Sequence, residues 1–294
     1  MSENPQINVP AHSVAAEEGW TSVITPHRGW FDWRLKQLWR YRDLISLFVW
    51  RDFVSVYKQT ILGPLWHIIQ PLLTTVVFTV FFGKIGKLST DGVPGFLFYL
   101  AGNVTWSYFG NNITKVSNTF VTNSALLGKV YFHRLVIPVS IAFSNLISFF
   151  IQLGVFIFFL AFYMLKGAPV HPTAWMLCTP LYLFMLAGYG LGGGIIVAAL
   201  TTRYRDLTQL VAFGIQLLMF ATPVILPLSA AGKYRWILQM NPLTPIVEGF
   251  RRGFLGVGDV TGMQLGISFG IMLVVLAVGM MLFTHVEKTF MDTV

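Results

Sequence analysis

The sequence predicts an all-α, polytopic membrane protein, and three observations carry that prediction. Six apolar stretches, 62–83, 94–114, 135–165, 174–200, 207–228 and 262–284, contain none of the 20 Lys and Arg or 12 Asp and Glu residues. Each is at least 20 residues long, enough to cross a hydrocarbon core of ~30 Å at ~1.5 Å per residue. Charged residues make up 11% of the chain and mean hydropathy is +0.66, against roughly 25% charge in soluble domains. Finally, the net charge of +8 gathers in the segments beside the apolar stretches, which fits a membrane topology signal better than nucleic-acid binding.

The elements follow in order. Residues 1–28 hold Pro, Asn, Glu and His with no packable core and read as a disordered arm; no apolar signal-peptide core is present in them. Residues 29–61 interleave Trp30, Trp33, Trp39 and Trp50 with Arg34, Arg40 and Arg51. Trp prefers the headgroup level and Arg favours anionic lipid, so this segment is expected to be an amphipathic interfacial helix rather than a span. The alternative is a cytosolic helical hairpin packed on another subunit. Residues 62–294 then form one domain of six transmembrane helices. With six spans both termini share a side, and that side carries 13 of the 20 Lys and Arg residues. The termini are therefore placed in the cytoplasm.

Within the spans, polar residues fall in register. Asn103, Ser107, Asn111 and Thr114 advance by 4, 4 and 3, one face of the second helix. Such a stripe serves either as hydrogen-bond glue between helices or as the wall of a wet passage. Its length and the nearby Tyr99 and Trp106 favour a passage. Gln209, Phe213, Gln216 and Phe220 form a second such face on the fifth span. His67 and Gln70 in the first span read as a helix–helix or pore-lining polar pair. In the fourth span Gly188 with Gly192, and Gly190 with Gly194, make two small-xxx-small pairs, a packing signal. Between the last two spans, Pro223, Pro227, Pro242 and Pro245 interrupt residues 223–258. Apolar runs persist at 236–240 and 245–247, and a pair of short helices dipping into the membrane fits that pattern. Glu248 can pair along that helix with Arg251 or Arg252, as a surface pair or as a contact for substrate.

Several chemistries are excluded. The single Cys178 forbids an internal disulfide, and no G-x-x-x-x-G-K-[ST], H-E-x-x-H or G-x-S-x-G occurs. No carboxylate lies in a span, which argues against ion-coupled transport. Asp52, Asp206 and Glu248 fall on both sides of the membrane, which argues against a glycan transferase.

Trp50-Arg51-Asp52, Tyr57 to Trp66, Gln70-Pro71, Lys129 to Arg134, Tyr204 to Leu207, Thr222 to Ile225, Asn241 to Pro245, Glu248 to Arg251 and Glu287 to Phe290 together resemble the ABC-2 type polysaccharide permeases. These are the membrane subunits of ATP-driven exporters of O-antigen, teichoic acid or related glycans. The resemblance covers most of residues 30–290, with His133 where Pro is expected. It implies a homodimer in the cytoplasmic (inner) membrane, bound by two copies of a separate ABC ATPase that holds the ATP and Mg. This chain itself would bind no cofactor or metal, have no catalytic residue and contact no nucleic acid. The cargo would be an undecaprenyl-linked polysaccharide; a small lipid or drug is the alternative within the family. The segment 29–61 would frame the portal for the glycan. The loop holding Val116, Asn118, Thr119, Asn123 and Lys129 would be the coupling helix. The channel would be lined by Tyr99, Asn103, Trp106, Ser107, Asn111, Gln209, Phe213, Gln216 and Phe220. The family's outer re-entrant helices would correspond to 236–240 and 245–255, with Glu248, Arg251 and Arg252 in that region.

Overall fold

The structure, a computed structural model, describes residues 35–58, 62–123, 126, 132–201 and 207–290. The arm 1–28 and the positions Trp30, Trp33, Arg34 and Lys129 lie outside the described residues. Every regular element among the described residues is helical. In chain order they are α1 (Leu35–Arg40), α2 (Arg42–Lys58), α3 (Trp66–Phe78), α4 (Gly95–Ser117), α5 (Thr119–Thr122), α6 (Val136–Leu165), α7 (Thr179–Thr201), α8 (Leu207–Phe220), α9 (Arg235–Met240), α10 (Thr244–Leu255) and α11 (Gly262–Phe290).

Among the described residues, four segments are long and apolar enough to cross a membrane: Trp66–Ile85, Val136–Leu165, Ala174–Thr201 and Gly262–Phe283. Two of the predicted spans differ. The second, α4, has the length, at 23 residues, but Asn103, Ser107, Asn111, Asn112 and Lys115 dilute its apolar character. The fifth was expected over 207–228, yet α8 stops at Phe220 after 14 residues, about 21 Å of helix. Pro223 ends it: a prolyl nitrogen has no hydrogen to donate and its ring clashes with the preceding turn. Thr222 turns its hydroxyl back to the Leu218 carbonyl at 2.7 Å.

The first span carries its own irregularities. Pro71 sits inside α3, and its carbonyl accepts both the Thr75 hydroxyl at 2.7 Å and the Asn103 amide at 3.0 Å. The last turns of this span, Thr79–Ile85, widen into π-helix.

α7 packs most extensively on α4 and α11, and the glycine spacing explains both contacts. A Cβ on Gly192 would lie 2.8 Å from the Leu276 Cα of α11, while one on Gly194 would meet Val116 of α4 at 2.6 Å. The two overlapping glycine pairs therefore serve two different neighbours, one on each side of the helix. A second cluster holds the N-terminal helices: Phe48 of α2 is buried beside Phe132, Ile137 and Phe283, with the Phe48 and Phe132 rings 5.9 Å apart. The Ser144 hydroxyl of α6 donates to the Asp52 carboxylate at 3.4 Å.

Between α8 and α11 the chain forms the two predicted short helices, α9 and α10, displaced by a residue or so from expectation. Pro245 opens α10 where a missing N–H costs nothing. Gly256 closes it at φ +78°, a left-handed conformation that favours glycine.

Candidate transport path

The stripe on α4 divides in two. Tyr99 is fully buried and Trp106 is 8% exposed. Tyr99 packs edge-on to Phe78 at 6.3 Å, and Trp106 lies 5.3 Å from Phe109. Both belong to the core of the protomer, where a long aromatic residue beside a polar stripe is cheaply buried against other rings. Asn103 is glue: its amide N–H₂ binds the Pro71 carbonyl while its oxygen accepts the Ser107 hydroxyl at 3.4 Å.

Beyond Asn103 the stripe opens into a polar cleft of about 120 Å³. α3 contributes Trp66, His67, Gln70, Pro71 and Thr74 to it, and α4 contributes Asn103, Ser107 and Asn111. The ninth lining residue is Gln152, from α6. No full charge lies among these side chains. The His67 and Gln70 pair thus lines an opening, and Gln152 is a member that the sequence did not offer. It is one polar residue in a long apolar helix, and only packing brings it against the others.

On α8, Gln209 and Gln216 are exposed, and Phe213 and Phe220 are 58% and 59% exposed. That face of the helix is therefore left without a neighbour among the described residues. α8 touches α4 on another side, where a Cβ on Gly110 would meet Ile215 at 3.6 Å.

The C-terminal end of α4 and the N-terminal half of α6 share a polar relay in which Asn112 and Asn145 are buried and Lys115 is exposed. The Lys115 ammonium donates to Asn145 Oδ1 at 2.9 Å, and Asn145 Nδ2 donates to Asn112 Oδ1 at 2.7 Å. Lys115 lies in the last turn of α4, where a cation complements the helix dipole. The expected coupling segment is the short α5. Val116 and Thr119 are buried, Val116 beneath Gly194, so neither offers a surface to another chain as predicted. Asn118 and Asn123 are partly exposed, and Val121 and Thr122 are exposed.

Glu248 and Arg251 are 2% and 1% exposed, so the pair is buried in the protomer and is not the surface pair that helical spacing suggests. Arg251 donates to Glu248 Oε1 at 3.4 Å, to the Val224 carbonyl at 2.6 Å, to the Phe98 carbonyl at 3.4 Å and to the Pro223 carbonyl. Its guanidinium lies 3.6 Å from the Phe98 ring centroid. One side chain of α10 thereby ties together the first turn of α4 and the bend after α8, whose carbonyls are left without helical partners by Pro223. The bend passes so close that a Cβ on Gly102 would meet Arg251 Nη2 at 2.6 Å and the Val224 carbonyl at 2.8 Å. Glu248 also accepts the Asp259 backbone N–H at 3.0 Å. Burial holds its carboxyl up at about 7, with Arg251 pulling the other way. Arg252 instead donates to the Val260 carbonyl at 2.6 Å and lies 5.0 Å from the Trp175 ring.

Of the portal residues, Trp39 is 73% exposed and Arg40 is exposed at the end of α1. Arg51 stacks over Phe48 at 4.8 Å and pairs with Asp52 at 2.8 Å. Among the described residues no group of three or more His, Cys, Asp or Glu residues is arranged to hold a metal.

Long apolar helices packed around a polar cleft define a multi-pass membrane protein. The chain belongs to the ABC-2 type transporter family, whose family model matches residues 43–255. The members of that family are transport subunits. The chain is similar to two proteins of Klebsiella pneumoniae named O-antigen export system permease protein RfbA. Each is 25% identical over 252 residues, covering 85% of this chain and 94% of the relative. A Myxococcus xanthus protein of the same name is 27% identical over 223 residues, covering 75% of this chain and 83% of that one.

Proposed function

We propose that this chain is the membrane subunit of an ATP-driven exporter that carries a lipid-linked polysaccharide, an O-antigen or similar glycan, out across the cytoplasmic membrane. The observation that carries the reading is similarity, over most of both chains, to permeases named for O-antigen export. In this reading the four apolar spans are joined by α4 and α8 to make six, with both termini in the cytoplasm. α1 and α2 lie along the inner surface, and α9 and α10 dip into the outer leaflet. Two copies assemble with two copies of a separate ATPase, which holds the ATP and Mg. The unpartnered face of α8, with Gln209, Phe213, Gln216 and Phe220, meets its symmetry mate and lines the conduit. Amides and aromatic rings suit a polymer that presents both hydroxyls and C–H faces and that is too hydrophilic to cross lipid unaided. ATP-driven movement at α5 opens it, through Asn118, Val121, Thr122 and Asn123.

The deciding experiment is deletion of this chain in its own cell, with the fate of the polymer followed. Accumulation of lipid-linked polymer on the cytoplasmic side, reversed by the native chain and not by Gln216→Leu with Phe213→Leu, is expected. Normal polymer at the surface of the deletion strain would refute the function.

A further inference from the structure

The geometry points to a saccharide subsite within each protomer: the polar cleft between α3, α4 and α6 receives one neutral sugar ring, one hydroxyl of which pairs with the Gln152 side-chain amide. This inference rests on the proposed glycan cargo and adds a second place of contact, away from the α8 face, since no residue of α8 lines the cleft.

Three observations combine. Gln152 is 6% exposed, and its Oε1 has no hydrogen-bond partner. A buried amide without a partner is costly to maintain in an apolar helix, so the cleft is incomplete as it stands. A hydroxyl both donates and accepts, so it satisfies this amide in either of its two flipped orientations. The remaining lining, above all His67, Gln70, Thr74, Ser107 and Asn111, is polar and carries no full charge. Such a wall favours neutral hydroxyl groups, because no lining residue offers an anion a counter-charge and the Lys115 ammonium beyond the lining is held by Asn145. About 120 Å³ holds about four waters at ~30 Å³ each, room for part of one ring. Trp66, half exposed at the mouth, offers an aromatic face for the rest. Water alone and the glycerol hydroxyls of a lipid headgroup share this chemistry, and the test separates all three.

The reporter is Ser107→Cys in a chain that also carries Cys178→Ala, assembled with its ATPase in phosphatidylcholine vesicles. Asn111→Cys is a second reporter should the first fail to assemble. The reading is the rate of thiol modification by a charged, water-soluble methanethiosulfonate. The subsite predicts rapid modification, slowed roughly tenfold at about nine-tenths occupancy by mannose, galactose or glucose, and unchanged by glucuronate. Adding Gln152→Leu abolishes the protection. Rapid modification that no sugar slows means a water-filled cleft and overturns the subsite. So does slowing by vesicle phosphatidylglycerol without sugar, which makes the occupant a lipid. Slowing by glucuronate as strongly as by the neutral sugars, or resistance to the reagent without any ligand, also overturns it. Polymer export by the native chain is measured in parallel. Export that depends on the chain while protection is absent removes the subsite alone, whereas export without the chain removes the function.

Discussion

Arg251→Met separates a structural fastener from a substrate contact more sharply than any other substitution. The methionine keeps most of the length and apolar stem but removes the guanidinium that spans α4, α10 and the bend after α8. Four acceptors lose their donor: the Glu248 carboxylate and the carbonyls of Phe98, Pro223 and Val224. Hydrogen bonds from a charged group contribute ~1.5–3 kcal/mol each, and they do not add when one side chain makes them all. The better guide is loss of one partner from a buried ion pair, about 3–5 kcal/mol, because Glu248 is then buried alone. Protonation of Glu248 relieves part of this, which places the expected loss near ~3 kcal/mol. The assay is thermal or denaturant unfolding of the purified protein in detergent, read alongside yield in the membrane. A variant that unfolds as the native chain does, within about 0.5 kcal/mol, but exports no polymer would refute the fastener. It would restore Arg251 as a residue that touches cargo.

Other consequences follow from the same geometry. Asn145→Leu strands Asn112 and Lys115 and should cost about 1–3 kcal/mol, measured by the same unfolding assay; no loss would dissolve the relay. Gly192→Ala drives a methyl group into the α11 backbone at Leu276 and should cost about 1–3 kcal/mol, whereas Gly154→Ala, with nothing within 4 Å, should be neutral or slightly stabilising. Equal effects at the two positions would contradict the α7–α11 contact. Burial raises the Glu248 carboxyl from the usual 4.5 to about 7. Its contribution to stability is therefore full below 4.5 and lost as pH rises through 7. The unfolding temperature should fall between these limits and lose that slope in Glu248→Gln; a slope that survives the substitution assigns it elsewhere.

The membrane class was legible because lipid leaves a crude mark: a charge in hydrocarbon is expensive, so spans announce themselves as charge-free runs. The α9 and α10 pair was legible for a local reason, its prolines. The glycine pairs of α7 were read correctly as packing, though only the structure shows that they serve two neighbours. What sequence periodicity could not give was the meeting of sparse polar residues from distant helices. Gln152 and Asn145 are sparse polar residues in a long apolar helix; Asn145 finds its partners on α4, and Gln152 lines the cleft beside residues of α3 and α4. Periodicity also assigned Tyr99 and Trp106 to a passage because it locates a face without saying what covers it. Glu248 and Arg251 misled for a related reason: a charged pair at helical spacing looks solvated until the chain after α8 folds across it.

The account as a whole rests on export driven by a separate motor. Its most direct test is reconstitution of this chain in liposomes, with and without the co-expressed ABC ATPase, while movement of lipid-linked polymer is followed. Transport that requires both the ATPase and hydrolysable ATP, and that persists when ion gradients are collapsed, is the predicted result. Transport by this chain alone under an ion gradient, with no ATPase bound, would contradict it.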